Sequence, residues 1–386
     1  MRDDSRRSTL YDAVGLGMLA YSRAVFDVRL LGLDDFRVEP GTLLVSMHRS
    51  NHDVPVICGA IYPGGGMWHR RQTRPWFAVR DDLFLPGFFA GQPARLPPRA
   101  RRLLYPVSID RLMSRVQCLP IRSPERMRLI ELLRSAPEAE LARILPADRL
   151  GALGARAREL GLPEPRLARD ALRGEYADLA WTIEDRRSFG APELEPAWHE
   201  RRRAAIRDFR ALAGVLSRGD SLLLFPEGTP SRDGEIGPLR PGVGALVRRG
   251  SPRVLRPFAL AYDPLTDRRP RVYLAAGPPL PPPLERIDEA VLDLLRRTMP
   301  LTPGQLVASR PGAQLAELER VAATEVEAAL AEGRPFEPGL AEPAERRRLL
   351  EGARAAPRDP AVLARLAREY ASARMHEMER ETAEAL

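Results

Sequence analysis

The sequence predicts an α/β fold: a central, mostly parallel sheet flanked by helices, with a helical insertion and a helical C-terminal extension. Three observations carry that expectation. Residues 42–47 and 221–225 are short, β-branched or leucine-rich, mostly apolar runs, the signature of strands buried on both faces. Helical patterns lie between such runs, the first marked by Leu10, Val14, Met18, Tyr21 and Val25 at helical spacing. After a proline-rich join at 278–283 the chain turns rich in Ala, Glu and Arg and reads as helix to its end.

Taken in order, an amphipathic helix spans 8–25 and a strand 26–33. Pro40-Gly41 turns the chain into the buried strand 42–47, and a helix follows over about 54–62. Strands are expected at 76–79, 116–121, 221–225, 254–261 and 271–275. Between Arg122 and Ser221 the pattern is helical with its own turns, such as Gly161-Leu162-Pro163. This gives an α/β domain over 1–283, interrupted by an insertion at about 123–219, and a helical extension over 284–386. Asp359-Pro360 reads as an N-cap followed by proline at the first helical position, opening the last helix.

Composition excludes several chemistries. The 386 residues contain no lysine, so all 60 Lys+Arg cations are arginine. Schiff-base chemistry, a pyridoxal-phosphate linkage and a P-loop lysine are therefore ruled out. Two cysteines, Cys58 and Cys118, make no disulfide framework and suit a reducing cytosol. Asp3 and Asp4 sit where a secretory leader would be basic, and no run reaches the ~18 apolar residues of a spanning helix. The net charge of +8 is concentrated: residues 67–128 hold thirteen arginines against Asp81, Asp82, Asp110 and Glu125. Trp76, Phe77, Phe84, Phe88 and Phe89 lie in the same stretch. Basic plus aromatic character fits nucleic acid or an anionic membrane face.

Four groups of residues carry chemistry. His48 and Asp53 follow a buried strand, where open α/β sheets place their sites. A histidine there can take a proton from an alcohol while a carboxylate fixes its tautomer. Phe225-Pro226-Glu227-Gly228-Thr229 ends another apolar strand, with a carboxylate able to accept hydrogen bonds from a polyol. Arg122 closes Cys118-Leu119-Pro120-Ile121-Arg122, a fixed cation suited to bidentate phosphate binding. Leu255-Arg256-Pro257-Phe258-Ala259-Leu260 is a strand containing proline. Each has a plainer reading: a satisfied loop histidine, a turn-capping Glu227, a surface Arg122. His48 and His52 have the i, i+4 spacing of zinc ligands, but no Glu stands between them, and His69, His199 and His376 lack a ligand context. No metal is expected. Cys118 reads as a small buried thiol rather than a nucleophile.

In chain order, His48–Asp53, Cys118–Arg122, Phe225–Thr229 and Leu255–Leu260, these four groups resemble the motifs of the glycerolipid acyltransferase family, which includes glycerol-3-phosphate and lysophosphatidic acid acyltransferases. The resemblance covers roughly residues 20–280. It implies that His48 is the general base and Asp53 the acid that orients it. Arg122 would bind the acceptor's phosphate, Glu227 and Gly228 with Thr229 the acceptor, and Pro257 would belong to the acyl-donor side. Arg80 stands where many members carry lysine. The sequence departs from the family at three places. The glycine that usually opens the second motif is absent, with Val116 and Gln117 there. Pro230 replaces the arginine that usually follows the third, with Arg232 two residues on. The segment between those motifs is unusually long.

The implied reaction moves a fatty acyl group from acyl-CoA or acyl carrier protein to a hydroxyl, with no cofactor beyond that cosubstrate. The expected acceptor is a lysophospholipid, 1-acylglycerol-3-phosphate first, with glycerol-3-phosphate or another lysophospholipid as the alternative. Leu83 to Phe89 and the arginines after it would meet an anionic membrane, making a peripheral enzyme on its cytoplasmic face. The competing class is a non-catalytic, arginine-rich nucleic-acid-binding or scaffold protein. It is disfavoured because the charge is confined and interrupted by apolar sequence, and no nucleic-acid-binding signature is present.

Overall fold

A computed structural model of the chain describes residues 5–33, 38–64, 74–91 and 97–385, apart from 229, 232, 238, 240–241, 267–268, 283–284 and 358. Nine strands form: β1 (Asp27–Leu31), β2 (Thr42–Ser46), β3 (Trp76–Arg80), β4 (Cys118–Ile121), β5 (Arg126–Arg128), β6 (Ile183–Asp185), β7 (Leu222–Leu224), β8 (Val254–Asp263) and β9 (Arg271–Ala276), among the described residues. Seven of them make one sheet in the order β1-β9-β8-β2-β7-β3-β4. β8, β2, β7 and β3 run parallel to one another, while β9 is antiparallel to β8 and carries β1 parallel to itself. The fold is thus α/β with a mixed, mostly parallel sheet, and each strand expected from the sequence is present.

The chain divides into two units, one of residues 1–77 and 213–386, the other of residues 78–212. In the first, β2 and β7 are buried at every position, because their apolar side chains have helices or strands on both sides. The helix α1 (Ser5–Val25) lies against the helix α2 (Asp53–Gly64) at Gly59, where an added Cβ would approach Leu19 Cα to 3.1 Å. Tyr11 is buried and donates its hydroxyl to the Pro75 carbonyl at 3.0 Å.

β8 is an interior strand that nevertheless contains Pro257. The ladder with β9 explains this. Phe258 pairs with Ala276, yet Leu255 bridges Leu280, so four steps of one chain oppose three of the other. The extra residue is a bulge, and proline, lacking an N–H, is tolerated there.

The C-terminal helices gather around a core that includes Leu301, Leu306, Leu318, Leu350 and Leu366. Asp263, at the end of β8, accepts from the amides of Gly304 (2.7 Å) and Leu265 (3.0 Å), tying the helix Pro303–Ser309 to the sheet. The last helix spans Pro360–Ala385, and Asp359 accepts from the Ala361 amide at 2.8 Å as an N-cap.

The second unit has its own core, built from residues such as Ile130, Leu133, Leu141, Tyr176, Trp181 and Trp198. Its small antiparallel sheet, β5 with β6, was not expected, since Arg126–Arg128 and Ile183–Asp185 are too short and too charged to read as strands. The apolar run from Leu83 to Phe89 is taken up by this core in part. Leu85 and Phe88 pack against it and Phe88 meets Trp181 edge-on, leaving Phe89 the exposed residue of the run. Among the described residues, no helix is long and apolar enough to cross a membrane.

Candidate active site

β2 and β7 are parallel neighbours, with Val45 opposite Leu224, so their C-terminal ends open on the same side. His48 leaves the first and Phe225-Pro226-Glu227-Gly228 the second. The loop from His48 to Asp53 curls around a single carboxylate oxygen. Asp53 Oδ2 accepts from the Arg49 amide at 2.6 Å and the Ser50 amide at 2.9 Å, and lies 2.7 Å from His48 Nδ1. This is why a spacing of five residues works: the turn folds the histidine back onto the first residue of α2, and the same carboxylate holds the turn closed.

Because that oxygen already accepts two amides, it is the acceptor for His48 as well, so Nδ1 carries the proton and Nε2 the lone pair. Nε2 meets no hydrogen-bond partner among the described residues, and the His48 side chain is 15% exposed whereas Asp53 is fully buried. The imidazole lies against Phe225, with ring centroids 4.6 Å apart. Asp53 Oδ1 accepts from the Tyr262 hydroxyl at 2.7 Å. Burial, reinforced by the Asp53 carboxylate, pushes the Tyr262 hydroxyl well above the usual tyrosine range, so it remains a donor.

Tyr262 was not singled out from the sequence. The signal was there: Phe258, Leu260 and Tyr262 share one face of β8 by simple alternation, with Tyr262 five residues on from Pro257.

Glu227 is buried at the start of the second loop. Gly228 donates its amide to the Phe225 carbonyl at 3.1 Å and has φ +69°, a left-handed conformation that glycine adopts without strain. Burial pushes the Glu227 carboxyl up to about 7, against the pull of the Arg49 guanidinium and the His48 amide; Asp53 and Asp233 add to the rise. Arg49 is itself buried and donates from Nη1 to Ser231 Oγ and to the Glu235 carbonyl, each at 3.0 Å. The Ser231 amide returns to the His48 carbonyl at 2.8 Å, so the two loops are laced together. Arg49 is a second residue that sequence reasoning passed over as a site member.

The remaining expected residues are disposed otherwise. Arg80 and Arg122 belong to the second unit, and both are engaged by carboxylates there. Arg122 Nη1 lies 2.7 and 2.8 Å from the two oxygens of Asp208, and its Nε 3.8 Å from Asp81. Arg80 contacts Asp82 at 2.5 and 3.1 Å, and Asp82 also receives Arg128 at 2.5 Å. Burial works against ionisation of Asp82, but the hydrogen bonds and charges of Arg80 and Arg128 outweigh it and hold the carboxyl below its ordinary range. Pro257 sits within the sheet at the bulge described above. Thr229, Arg232 and His69 lie outside the described residues. His52 pairs its Nδ1 with the Tyr21 hydroxyl at 2.7 Å and its ring lies between Tyr21 and Phe26. Burial raises the Cys118 thiol to about 12, which leaves it a poor nucleophile.

No family model and no curated protein matches the chain. Among solved structures it is similar to the 1-acyl-sn-glycerophosphate (LPA) acyltransferase PlsC from Thermotoga maritima, at 13% identity and a TM-score of 0.37, over 77% of this chain and 81% of that one.

Proposed function

We propose that the protein is an O-acyltransferase that moves a fatty acyl group from an acyl thioester to the hydroxyl of a glycerolipid precursor. One observation carries the reading: His48 has its Nδ1 committed to a buried carboxylate and its Nε2 open at the ends of two parallel strands. That is the arrangement a general base for an alcohol needs.

In this scheme Nε2 takes the acceptor's hydroxyl proton as the oxygen attacks the thioester carbonyl. The new C–O bond forms, the C–S bond breaks, and the imidazolium returns its proton to the departing thiolate. Asp53 holds the ring and stabilises its cationic form, with Tyr262 and the two loop amides fixing the carboxylate in turn. General-base assistance of this kind supplies roughly 10²–10⁴-fold. Glu227, in the turn beside His48, is the group proposed to accept hydrogen bonds from the acceptor's hydroxyls, with Gly228 shaping that turn. The preferred acceptor is 1-acylglycerol-3-phosphate, with glycerol-3-phosphate or another lysophospholipid as the alternative, and the donor is acyl-CoA or acyl carrier protein. In this proposal the reaction runs at the inner face of a membrane.

The test is thiol release from an acyl thioester in the presence of a panel of hydroxyl acceptors. His48→Ala abolishes turnover while circular dichroism stays unchanged. Near wild-type rates in both His48→Ala and Asp53→Ala would show the assignment to be wrong.

A further inference from the structure

Ion pairing within the second unit is uneven. Arg80, Arg122, Arg128, Arg156 and Arg201 all hold carboxylate partners. The stretch 97–115 is different. It consists of the helix Pro98–Leu104, a turn, and the helix Asp110–Arg115. Arg99, Arg102, Arg111 and Arg115 are exposed there, and none of the four is in an ion pair among the described residues. Asp110 is the one acid in the stretch, and it accepts from Ser108 Oγ at 2.9 Å. The fifth arginine, Arg101, is buried and donates to the Ala90 carbonyl at 2.9 Å, holding its helix in place.

Large apolar side chains stand exposed between these cations. Leu103 is 77% exposed, with Val107 at 38% and Leu112 at 37%. The sequence pointed to the run from Leu83 to Phe89, of which Leu85 and Phe88 pack against the core while Phe89 is exposed. Leu103, Val107 and Leu112 thus form a further exposed apolar group, starting fourteen positions beyond Phe89, among the unpaired arginines.

We propose that residues 97–115 are a docking surface for an anionic lipid bilayer. Leu103, Val107 and Leu112 enter the headgroup layer, and the four arginines meet lipid phosphates. Charge complementarity favours this occupant. Unpaired cations interleaved with bare aliphatic side chains match a surface that is anionic outside and hydrocarbon beneath. Nucleic acid fits less well: a duplex, met through its phosphates, offers nothing to bare aliphatic side chains, and a single strand calls for aromatic stacking platforms. The stretch's one aromatic, Tyr105, is covered by the Arg134 guanidinium, 5.7 Å from the ring centroid. The inference stands on this surface and not on the acyl-transfer reading.

The experiment is cosedimentation of the full chain with vesicles of phosphatidylcholine alone and of an equimolar mixture with phosphatidylglycerol. The wild type sediments with the anionic vesicles at low salt and is released at high salt. Arg111→Gln with Arg115→Gln weakens partitioning roughly 30-fold, about fivefold for each cation near an anionic surface. Leu103→Ser, at an exposed position, weakens it about tenfold, the loss of one buried aliphatic side chain. Equal partitioning to both vesicle types overturns the proposal, as do variants that bind like the wild type. Duplex DNA binding that depends on the arginines but is indifferent to Leu103→Ser, without vesicle binding, also overturns it. His48→Ala binds vesicles normally, while the arginine variants turn over a water-soluble short-chain acceptor at the wild-type rate. Failure of the surface and failure of the catalytic reading are therefore seen separately.

Discussion

Tyr262 donates its hydroxyl to the same Asp53 carboxylate that orients His48, taking Oδ1 at 2.7 Å while the imidazole takes Oδ2. A residue at the far end of β8 thereby sets the angle of a carboxylate at the start of α2. Tyr262→Phe removes that donor and keeps the ring's packing against Phe26. A hydrogen bond to a charged group contributes about 1.5–3 kcal/mol. Turnover is expected to fall roughly tenfold with KM nearly unchanged, since the change acts on the base rather than on acceptor contacts. A raised KM with unaltered kcat would place Tyr262 in substrate binding instead.

Glu227 gives a pH signature. Its carboxyl titrates near its ordinary 4.5 in the unfolded chain and at about 7 in the folded one, because burial penalises the charge. Below 4.5 both states hold the proton and the group costs nothing. Between 4.5 and 7 the unfolded chain releases its proton first, so this group lowers stability as pH rises through that window, by roughly 3 kcal/mol before levelling off. Urea denaturation of Glu227→Gln against the wild type at pH 5 and pH 8 reads this directly. The variant loses that part of the decline, and parallel curves for the two proteins would refute it.

The sheet was legible because its strands announce themselves. Leu43–Val45 and Leu222–Leu224 are apolar throughout, and a parallel interior strand needs little else. The His48–Asp53 pairing was legible as a spacing between two chemical types. Tyr262 and Arg49 were not, for a physical reason. Each acts through a partner distant in sequence, Asp53 from 209 residues away and Glu235 from 186, and nothing local to either residue encodes that distance. Arg122 shows a partner of the same hidden kind. Its guanidinium is engaged by Asp208, 86 residues on, a pairing that nothing local to the strand end encodes.

That ion pair makes a discriminating prediction. Arg122 is partly buried and engages both oxygens of Asp208. If Arg122 is chiefly a strut, Arg122→Leu and Asp208→Asn each lower stability by about 1–3 kcal/mol, and their effects are non-additive in a double-mutant cycle. KM for a phosphate-bearing acceptor then stays put. If Arg122 binds phosphate, Arg122→Leu raises KM at least tenfold while Asp208→Asn, which frees the guanidinium, lowers it. Thermal denaturation with acceptor titration on the same variants separates the two roles.

Gln117 offers a stabilising substitution. It precedes β4 with φ +61°, a left-handed conformation in which a Cβ crowds the backbone. The backbone here has a conformation suited to glycine. Left-handed geometry costs a non-glycine residue about 1–2 kcal/mol, whereas glycine adds roughly 0.5–1 kcal/mol of unfolded-state entropy. The two oppose each other, and the conformational cost is the larger. Gln117→Gly is therefore expected to raise unfolding free energy by about 0.5–1 kcal/mol. Gln117→Val, β-branched and still less tolerant of positive φ, is expected to lower it. Urea midpoints for the three proteins should order as Gly, Gln, Val from most to least stable, and any other order means that the Gln117 side chain stabilises the turn by more than its backbone strain costs.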